Sequence, residues 1–329
     1  MMDSNFNKKE MAKTTMNNRK KTQLPSLPES IENAFNIAIP EVPKPDKLCF
    51  FGIGESSIIG DVIASFINEK TDRFIPSYSN GLVPKWIDQD TTAIITSYSG
   101  TNSNIDEIYD ELRARKCTIY CLTNGNTLIK KCQSDGVLVF KLPDSLTSRT
   151  ALGFELGLLS QLIQKMNICK MKDEMSSFLV NVKHYRDSLI NNDKIPELIK
   201  KIKDQNLSIY GTPDFKASFK RWKMLFNEDL DIITFYGELP EFNHNEIVGW
   251  SNHYQNDSNL CAIVLRGNID DKVLNVIVDK IIEVLRENNR SVIDIQIPGS
   301  SSIERNVCAI LLGDYLSQMM REDKGDGLK

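Results

Sequence analysis

Histidine is scarce in this sequence. Three residues, His184, His244 and His253, are scattered through 329. Three dispersed imidazoles do not make a zinc ligand set, so no metal is expected. The seven cysteines (Cys49, Cys117, Cys121, Cys132, Cys169, Cys261 and Cys308) include no CxxC pair, and most lie in apolar, strand-like runs. They read as reduced, buried thiols of a cytoplasmic protein rather than as a disulfide framework. No apolar run approaches the ~20 residues that a membrane span needs. Excess charge is missing too: 40 Lys and Arg stand against 44 Asp and Glu, a formal net charge of −4. That balance argues against a general nucleic-acid binder, and an anionic ligand would have to be held by local dipoles and hydroxyls. Residues 1–23 are polar and basic, without the apolar core of a signal peptide. Rich in Asn, Lys and Met, they are expected to form a disordered tail.

What is present is an ordinary globular composition, 41% hydrophobic and 8% aromatic, over a length that suggests about two domains. After a helix from Glu29 to Ile37 and a proline-rich connector (Pro40, Pro43, Pro45), strand-like and helix-like segments alternate. Strands are expected at 47–54, 73–78, 93–100, 117–122 and 136–142, with helices from Ser57 to Glu69, Ile105 to Arg115 and Leu128 to Lys131. Residues 150–203 read as helical apart from loops near Asn191 and Asp193. The alternation then resumes with strands at 207–211, 232–236, 261–266 and 291–297. Helices are expected at 215–227 and 245–253, from Asp271 to Glu287 and from Ile303 to Arg321. The fold class is α/β: two tandem doubly wound units with parallel sheets flanked by helices, whose ligands should lie beyond the carboxyl ends of the strands. The boundaries read as a tail at 1–23, a first unit at 24–150, a helical connector at 151–203 and a second unit at 204–329.

The chemistry-bearing stretch is Gly237 to Trp250, which contains Leu239-Pro240-Glu241-Phe242-Asn243-His244-Asn245-Glu246. Asn243 can cap a helix whose first turn carries His244 and Glu246. A neutral imidazole there can give or take a proton near pH 7. Glu228 lies sixteen residues upstream of His244, past the helical run Phe215 to Phe226, and helix–strand–helix can bring the two to the same edge of a sheet. A carboxylate and an imidazole suit proton transfer in an aldose–ketose isomerisation. The plainer alternative is a capping histidine and a solvated glutamate. Ser97-Tyr98-Ser99-Gly100-Thr101-Asn102 follows the strongest strand and precedes a helix, so hydroxyls and a positive helix end suit a phosphate dianion. The plainer reading is a serine-rich helix cap. Gly52-Ile53-Gly54-Glu55-Ser56-Ser57 is a second strand–glycine–helix turn.

Lys220-Arg221-Trp222-Lys223, Asn227-Glu228 and the Pro240–Glu246 string together resemble the archaeal-type bifunctional phosphoglucose/phosphomannose isomerases, members of the sugar isomerase (SIS) group. The resemblance runs over about residues 25 to 315 and implies two SIS-like units. It implies reversible isomerisation of glucose 6-phosphate, and of mannose 6-phosphate, to fructose 6-phosphate without metal or organic cofactor. By resemblance Glu228 moves the proton between carbons 1 and 2, and His244 opens the sugar ring. Arg149, in the loop Leu142-Pro143 to Arg149-Thr150-Ala151-Leu152, steadies the enediolate. Gly54, Ser56, Ser97 and Ser99 belong to the sugar-phosphate site. Thr101-Asn102 inverts the order of the SYSGNT pattern, so either can take the threonine's place. Glu55 stands where the G-M-G-G-S pattern has a second glycine; turned inward, its carboxylate would repel an anionic ligand. The tail, ending Leu328-Lys329, lacks the pattern's D-P-T, and Lys329 is a possible match for its last lysine. The resemblance also implies a homodimer in which a His244-type residue crosses to the partner's site. Two alternatives stay open: an isomerase of another sugar phosphate, using the same serines without pairing Glu228 and His244, and a non-catalytic sugar-phosphate sensor.

Overall fold

The structure, a computed structural model, describes residues 26–251, 259–267, 272–288 and 291–324. The expected tail at 1–23 and Lys329 lie outside them. Helix α1 (Leu27–Phe35) opens on Leu27-Pro28, with proline in the first turn where its missing N–H costs nothing. Strand β1 (Lys47–Gly52), the 3-10 turn Gly54–Ser57, α2 (Ile58–Lys70), β2 (Ser77–Tyr78) and β3 (Thr91–Thr96) follow. Then come α3 (Ser103–Ala114), β4 (Thr118–Thr123), α4 (Asn126–Ser134) and β5 (Leu138–Lys141). The strand expected over 73–78 is reduced to Ser77–Tyr78, following Pro76, which has no N–H to give to a ladder.

These strands form one parallel sheet in the order β2-β1-β3-β4-β5. All six residues of β3 are buried, the mark of a strand covered on both faces. The order reverses between β1 and β3, so the crevice beyond their carboxyl ends is the place where such a sheet takes a ligand.

The connector is three helices: α5 (Leu152–Lys165), α6 (Met171–Ile190) and α7 (Lys194–Ile202). The sequence reading missed the break before α6, where Asn167 takes a left-handed turn with φ 52°. Helix α5 lies close against α1 because it offers glycine there; a Cβ on Gly157 would stand 2.2 Å from the Ile31 carbonyl oxygen.

The second sheet comprises β6 (Asn206–Gly211), β7 (Thr234–Glu238), β8 (Leu260–Arg266) and β9 (Ser291–Gln296), all parallel, in the order β7-β6-β8-β9. Its helices are α8 (Lys216–Leu230), α9 (Glu246–Ser251), α10 (Lys272–Glu287) and α11 (Ser302–Lys324). Helix α8 runs past the expected 227 to Leu230, where Asp231 caps it in the left-handed region at φ 55°. Glu228 therefore sits in the last helical turn rather than after it.

Two contacts seat α8 on α11. Trp222 is fully buried and its indole N–H donates to the Ala309 carbonyl at 2.7 Å, over the bare face of Gly313. Ser218 bonds the Asn306 side chain at 2.8 Å. One apolar core runs from Phe50 and Ile94 of the first sheet, through Leu156 and Phe178, to Ile209 and Ile263 of the second. The two sheets thus share a core across the helical layer, which fixes α8 relative to the first crevice. Among the described residues no helix is long and apolar enough to cross a membrane.

Candidate active site

Three loops meet at the carboxyl edge of the first sheet, at the order reversal between β1 and β3. The turn after β1 carries Gly54, Glu55 and Ser56; Gly54 takes φ 62°, which glycine adopts without strain. The turn after β3 carries Ser97 to Asn102. The backbone N–H of Tyr98 donates to Ser56 Oγ at 3.4 Å, so the two serine turns touch. Ser97 is buried with its N–H on the Leu122 carbonyl, whereas Ser99 and Thr101 are exposed and joined hydroxyl to hydroxyl at 3.2 Å. Asn102 caps α3 with its side chain, accepting from the Asn104 N–H at 3.0 Å. That bond already takes one of the N–H groups which the sequence left free for an anion.

Gly125 lets the second turn approach α4: a Cβ there would lie 2.0 Å from the Ser99 carbonyl oxygen. The third loop, 142–151, is tied in by the Tyr98 hydroxyl, which donates to the Leu146 carbonyl and lies 3.2 Å from that of Pro143.

Arg149 ends that third loop and faces α8. Its Nη2 is 3.0 Å from Glu228 Oε2, its Nε is 3.3 Å from Glu55 Oε1, and its Nη1 pairs with Asp229. The structure thus brings together Arg149, Glu228 and the Ser56 turn, which the sequence scattered over 55–228. The carboxylates differ in exposure: the Glu228 side chain is 55% exposed, against 12% for Glu55 and 9% for Asp229. Arg221, almost fully buried, bonds Glu55 at 2.9 Å and Asp314 at 2.8 Å. Glu55 therefore points at two guanidiniums, not at a ligand as an unpaired charge. Beneath it lies Glu155 on α5, which the sequence reading did not single out. Burial, with the charge of Glu55 adding and that of Arg221 opposing, pushes its carboxyl up to about 8. Its sequence signal was weak: one glutamate inside the apolar run Ala151 to Leu159.

His244 is not at this site. Asn227 at the foot of α8 donates to the carbonyl of Thr234, the first residue of β7. His244 follows the other end of that strand, in the 3-10 turn Glu241–His244, and is exposed. Thr234 to Glu238 alone spans roughly 13 Å at the usual strand rise. Within one chain Glu228 and His244 therefore lie at opposite ends of β7, not on one sheet edge as the helix–strand–helix pattern suggested. The reason is that α8, leaving the carboxyl end of β6, runs back along β7, so its last turn falls at the strands' amino ends. The expected capping by Asn243 is also displaced: Asn245 bonds the Glu246 N–H at the start of α9, and His244 stays outside that helix. Glu246 is held by the Tyr210 hydroxyl at 2.6 Å.

The corresponding crevice of the second sheet is filled. Arg305 of α11 bonds Asp214 at 3.0 Å and packs where a Cβ on Gly267 would be, 2.4 Å from its Cδ. Glu304 takes the Ser300 N–H and hydroxyl at 3.1 and 2.9 Å. A surface hollow of about 480 Å³ between Lys85, Asp88 and Arg115 opens at the amino edge of the first sheet, away from all of these groups. Among the described residues no group of His, Cys, Asp and Glu side chains is arranged to hold a metal ion.

Residues 191–325 match the family described as the bacterial phospho-glucose isomerase C-terminal SIS domain. A bifunctional phosphoglucose/phosphomannose isomerase from Caldicellulosiruptor bescii is 27% identical over 305 residues, 89% of this chain and 90% of that protein. A D-glucosamine-6-phosphate 4-epimerase from Sulfolobus acidocaldarius is 24% identical over 252 residues, 76% of this chain and 78% of that one. Among solved structures, a hypothetical protein from Thermus thermophilus superposes with a TM-score of 0.67 at 12% identity, over 93% of this chain and 86% of that one.

Proposed function

The chain is a homologue of the bifunctional phosphoglucose/phosphomannose isomerases and carries their SIS fold, and from that premise we propose that it interconverts an aldose 6-phosphate and fructose 6-phosphate. Glucose 6-phosphate is the first substrate and mannose 6-phosphate the second. The observation that carries this reading is the pairing of an exposed carboxylate, Glu228, with a guanidinium, Arg149, beside two serine turns at the order reversal of a parallel sheet. Ser56, Ser97, Ser99 and Thr101 or Asn102, with the positive end of α3, receive the phosphate. Gly54 gives the sugar close access to the backbone.

Glu228 takes the proton from carbon 2 as general base; the electron pair left behind forms the C1=C2 bond of a cis-enediolate with its charge on oxygen 1, and the proton of oxygen 2 passes to oxygen 1 as Glu228 returns its proton to carbon 1. Arg149 faces the developing oxyanion as a charge that cannot donate a proton at the wrong carbon. His244, far from Glu228 in its own chain, opens the pyranose ring in the site of a second copy, so the working unit is a homodimer. No cofactor takes part, and the protein works in the cytoplasm.

The test is a coupled assay on glucose 6-phosphate, mannose 6-phosphate and glucosamine 6-phosphate, with wild type and Glu228→Gln. The amide should lower turnover by at least ~100-fold, the scale of a lost general base, while sugar-phosphate binding is kept. Activity of the variant within a few-fold of wild type would remove Glu228 from the chemistry. Binding of fructose 6-phosphate without turnover by wild type would mark a sensor. The epimerase relative favours a second reading, action on a different sugar phosphate through the same serine turns, which turnover of glucosamine 6-phosphate alone would support.

A further inference from the structure

Three carboxylates reach Arg149, and they cannot all do the same work. Glu228 is more than half exposed, and an exposed ion pair contributes little to fixing a side chain. Glu55 and Asp229 are largely buried, where breaking a pair leaves an uncompensated charge. Asp229 adjoins Glu228 on the same helical turn and is shared with Arg321, 3.8 Å away, and with the Ser317 hydroxyl at 3.3 Å. Glu55 comes from the other side, from the turn that also carries Ser56. Its Oε1 accepts from Arg149 Nε at 3.3 Å and from Arg221 Nη1 at 2.9 Å. Arg221 is itself immobilised by Asp314 at 2.8 Å, and its Nη2 donates to the backbone carbonyl of Arg149 at 3.3 Å. One carboxylate therefore joins the side chain of Arg149 to a buried arginine that also grips Arg149's main chain.

We propose that Glu55 is the positioning residue of Arg149: through Glu55, Arg221 and Asp314 the guanidinium is locked to the α8–α11 frame with its Nη2 toward Glu228. This rests on the isomerase reading above for the role of Arg149, though not for the lock itself. The position is a glycine in the pattern that the Gly52–Ser57 turn resembles, so the lock is a feature of this chain's own side chain. It also reverses the simplest expectation for a carboxylate beside a phosphate site. Paired on both sides, Glu55 does not repel the ligand; it holds the cation that the reaction needs. An arginine released from such a lock keeps its charge but loses its aim, and a misplacement of about 1 Å at a reacting centre can cost on the order of 100-fold in rate.

The experiment compares wild type, Glu55→Gln, Glu55→Asp and Glu55→Gly. In Glu55→Gln, kcat should fall about 10- to 100-fold while the affinity for a non-reacting sugar phosphate changes by less than about twofold at low and at high salt. In the Arg149→Ala background the same change should cost nothing further, since positioning is lost with the residue positioned. Independently of any turnover, the rate at which phenylglyoxal modifies Arg149, followed by peptide mass spectrometry, should rise in Glu55→Gln and fall back toward wild type in Glu55→Asp. A merely structural Glu55 would lower the unfolding temperature of the variants without raising that reactivity. Unchanged Arg149 reactivity in both Glu55→Gln and Glu55→Gly would overturn the proposal, as would tighter sugar-phosphate binding by Glu55→Gly at low salt. Should wild type turn over no sugar phosphate, the isomerase reading fails, and the arginine reactivity still decides whether the lock exists.

Discussion

Glu155 should make the stability of this protein fall as pH rises through neutrality. The residue sits on α5, 2% exposed, and its Oε1 has no hydrogen-bond partner among the described residues. Burial is the chief cause that pushes its carboxyl up to about 8; Glu55 adds to it and Arg221 opposes it. In the unfolded chain a glutamate titrates near 4.3. The folded value is the higher one, so the folded state holds the proton more tightly. Glu155 therefore contributes its full stability below about pH 4, and that contribution is lost as pH climbs through about 8. Each tenfold change in proton affinity is worth 1.36 kcal/mol, so the whole effect is at most roughly 5 kcal/mol.

Glu155→Gln keeps the shape and cannot ionise. Its packing cost is the same at every pH, so the difference from wild type isolates the titration. Between about pH 5 and 8 wild type should lose about 1.4 kcal/mol per pH unit relative to the variant. In thermal unfolding the gap between the two should move in the variant's favour by roughly 6 °C over that range and level off above it. A gap that stays flat from pH 5 to 9 would refute the argument, because Glu155 would then be ionised, or protonated, equally in both states.

Two further outcomes test the placement of the site. If His244 serves a second copy, mixing Glu228→Gln with His244→Ala subunits at equal amounts should restore about a quarter of wild-type turnover, since half the dimers carry one intact site. Mixtures as inactive as either parent would place both residues in one subunit's site or remove one of them. Gly125→Ala, whose Cβ would collide with the Ser99 carbonyl at 2.0 Å, should push the serine turn outward and raise KM about tenfold or more with a smaller effect on kcat, read from the same coupled assay.

Where the sequence was informative, local periodicity and local turns carried the information. The buried runs of β1, β3 and β8 and the glycine turns after them read as alternating parallel strands and helices, and the two sheets follow. The serine turn after β3 was legible as an anion site for the same reason: strand, turn and helix start are contiguous in the chain. Arg149 drew notice only through the resemblance of its loop, because its three partners come from residues 55, 228 and 229. Glu55 was ambiguous from spacing, since a strand–helix turn can aim a side chain either way; only the buried Arg221 decides its direction. Glu155 looked like one more polar residue in an apolar helix. The mistaken pairing of Glu228 and His244 on one sheet edge came from counting elements without their direction: a helix after a parallel strand ends where the next strand begins.

That direction also accounts for how two similar units differ at their crevices. The first crevice keeps small residues at its mouth, Gly54, Ser56, Ser99 and Gly100, and pairs its own Glu55 and Arg149 with Arg221, Glu228 and Asp229 of α8. The second has the same strand order about its reversal between β6 and β8, yet Arg305 and Asp214 occupy it and Glu304 caps the turn beside it. The second unit meets the first crevice with the last turn of α8, which lies at the amino ends of its own strands. Its own carboxyl edge carries the exposed His244, away from the first crevice. A catalytic use for that histidine requires another copy to supply the crevice, and the subunit-mixing experiment separates that arrangement from one in which His244 is only a surface residue of the Glu241–His244 turn.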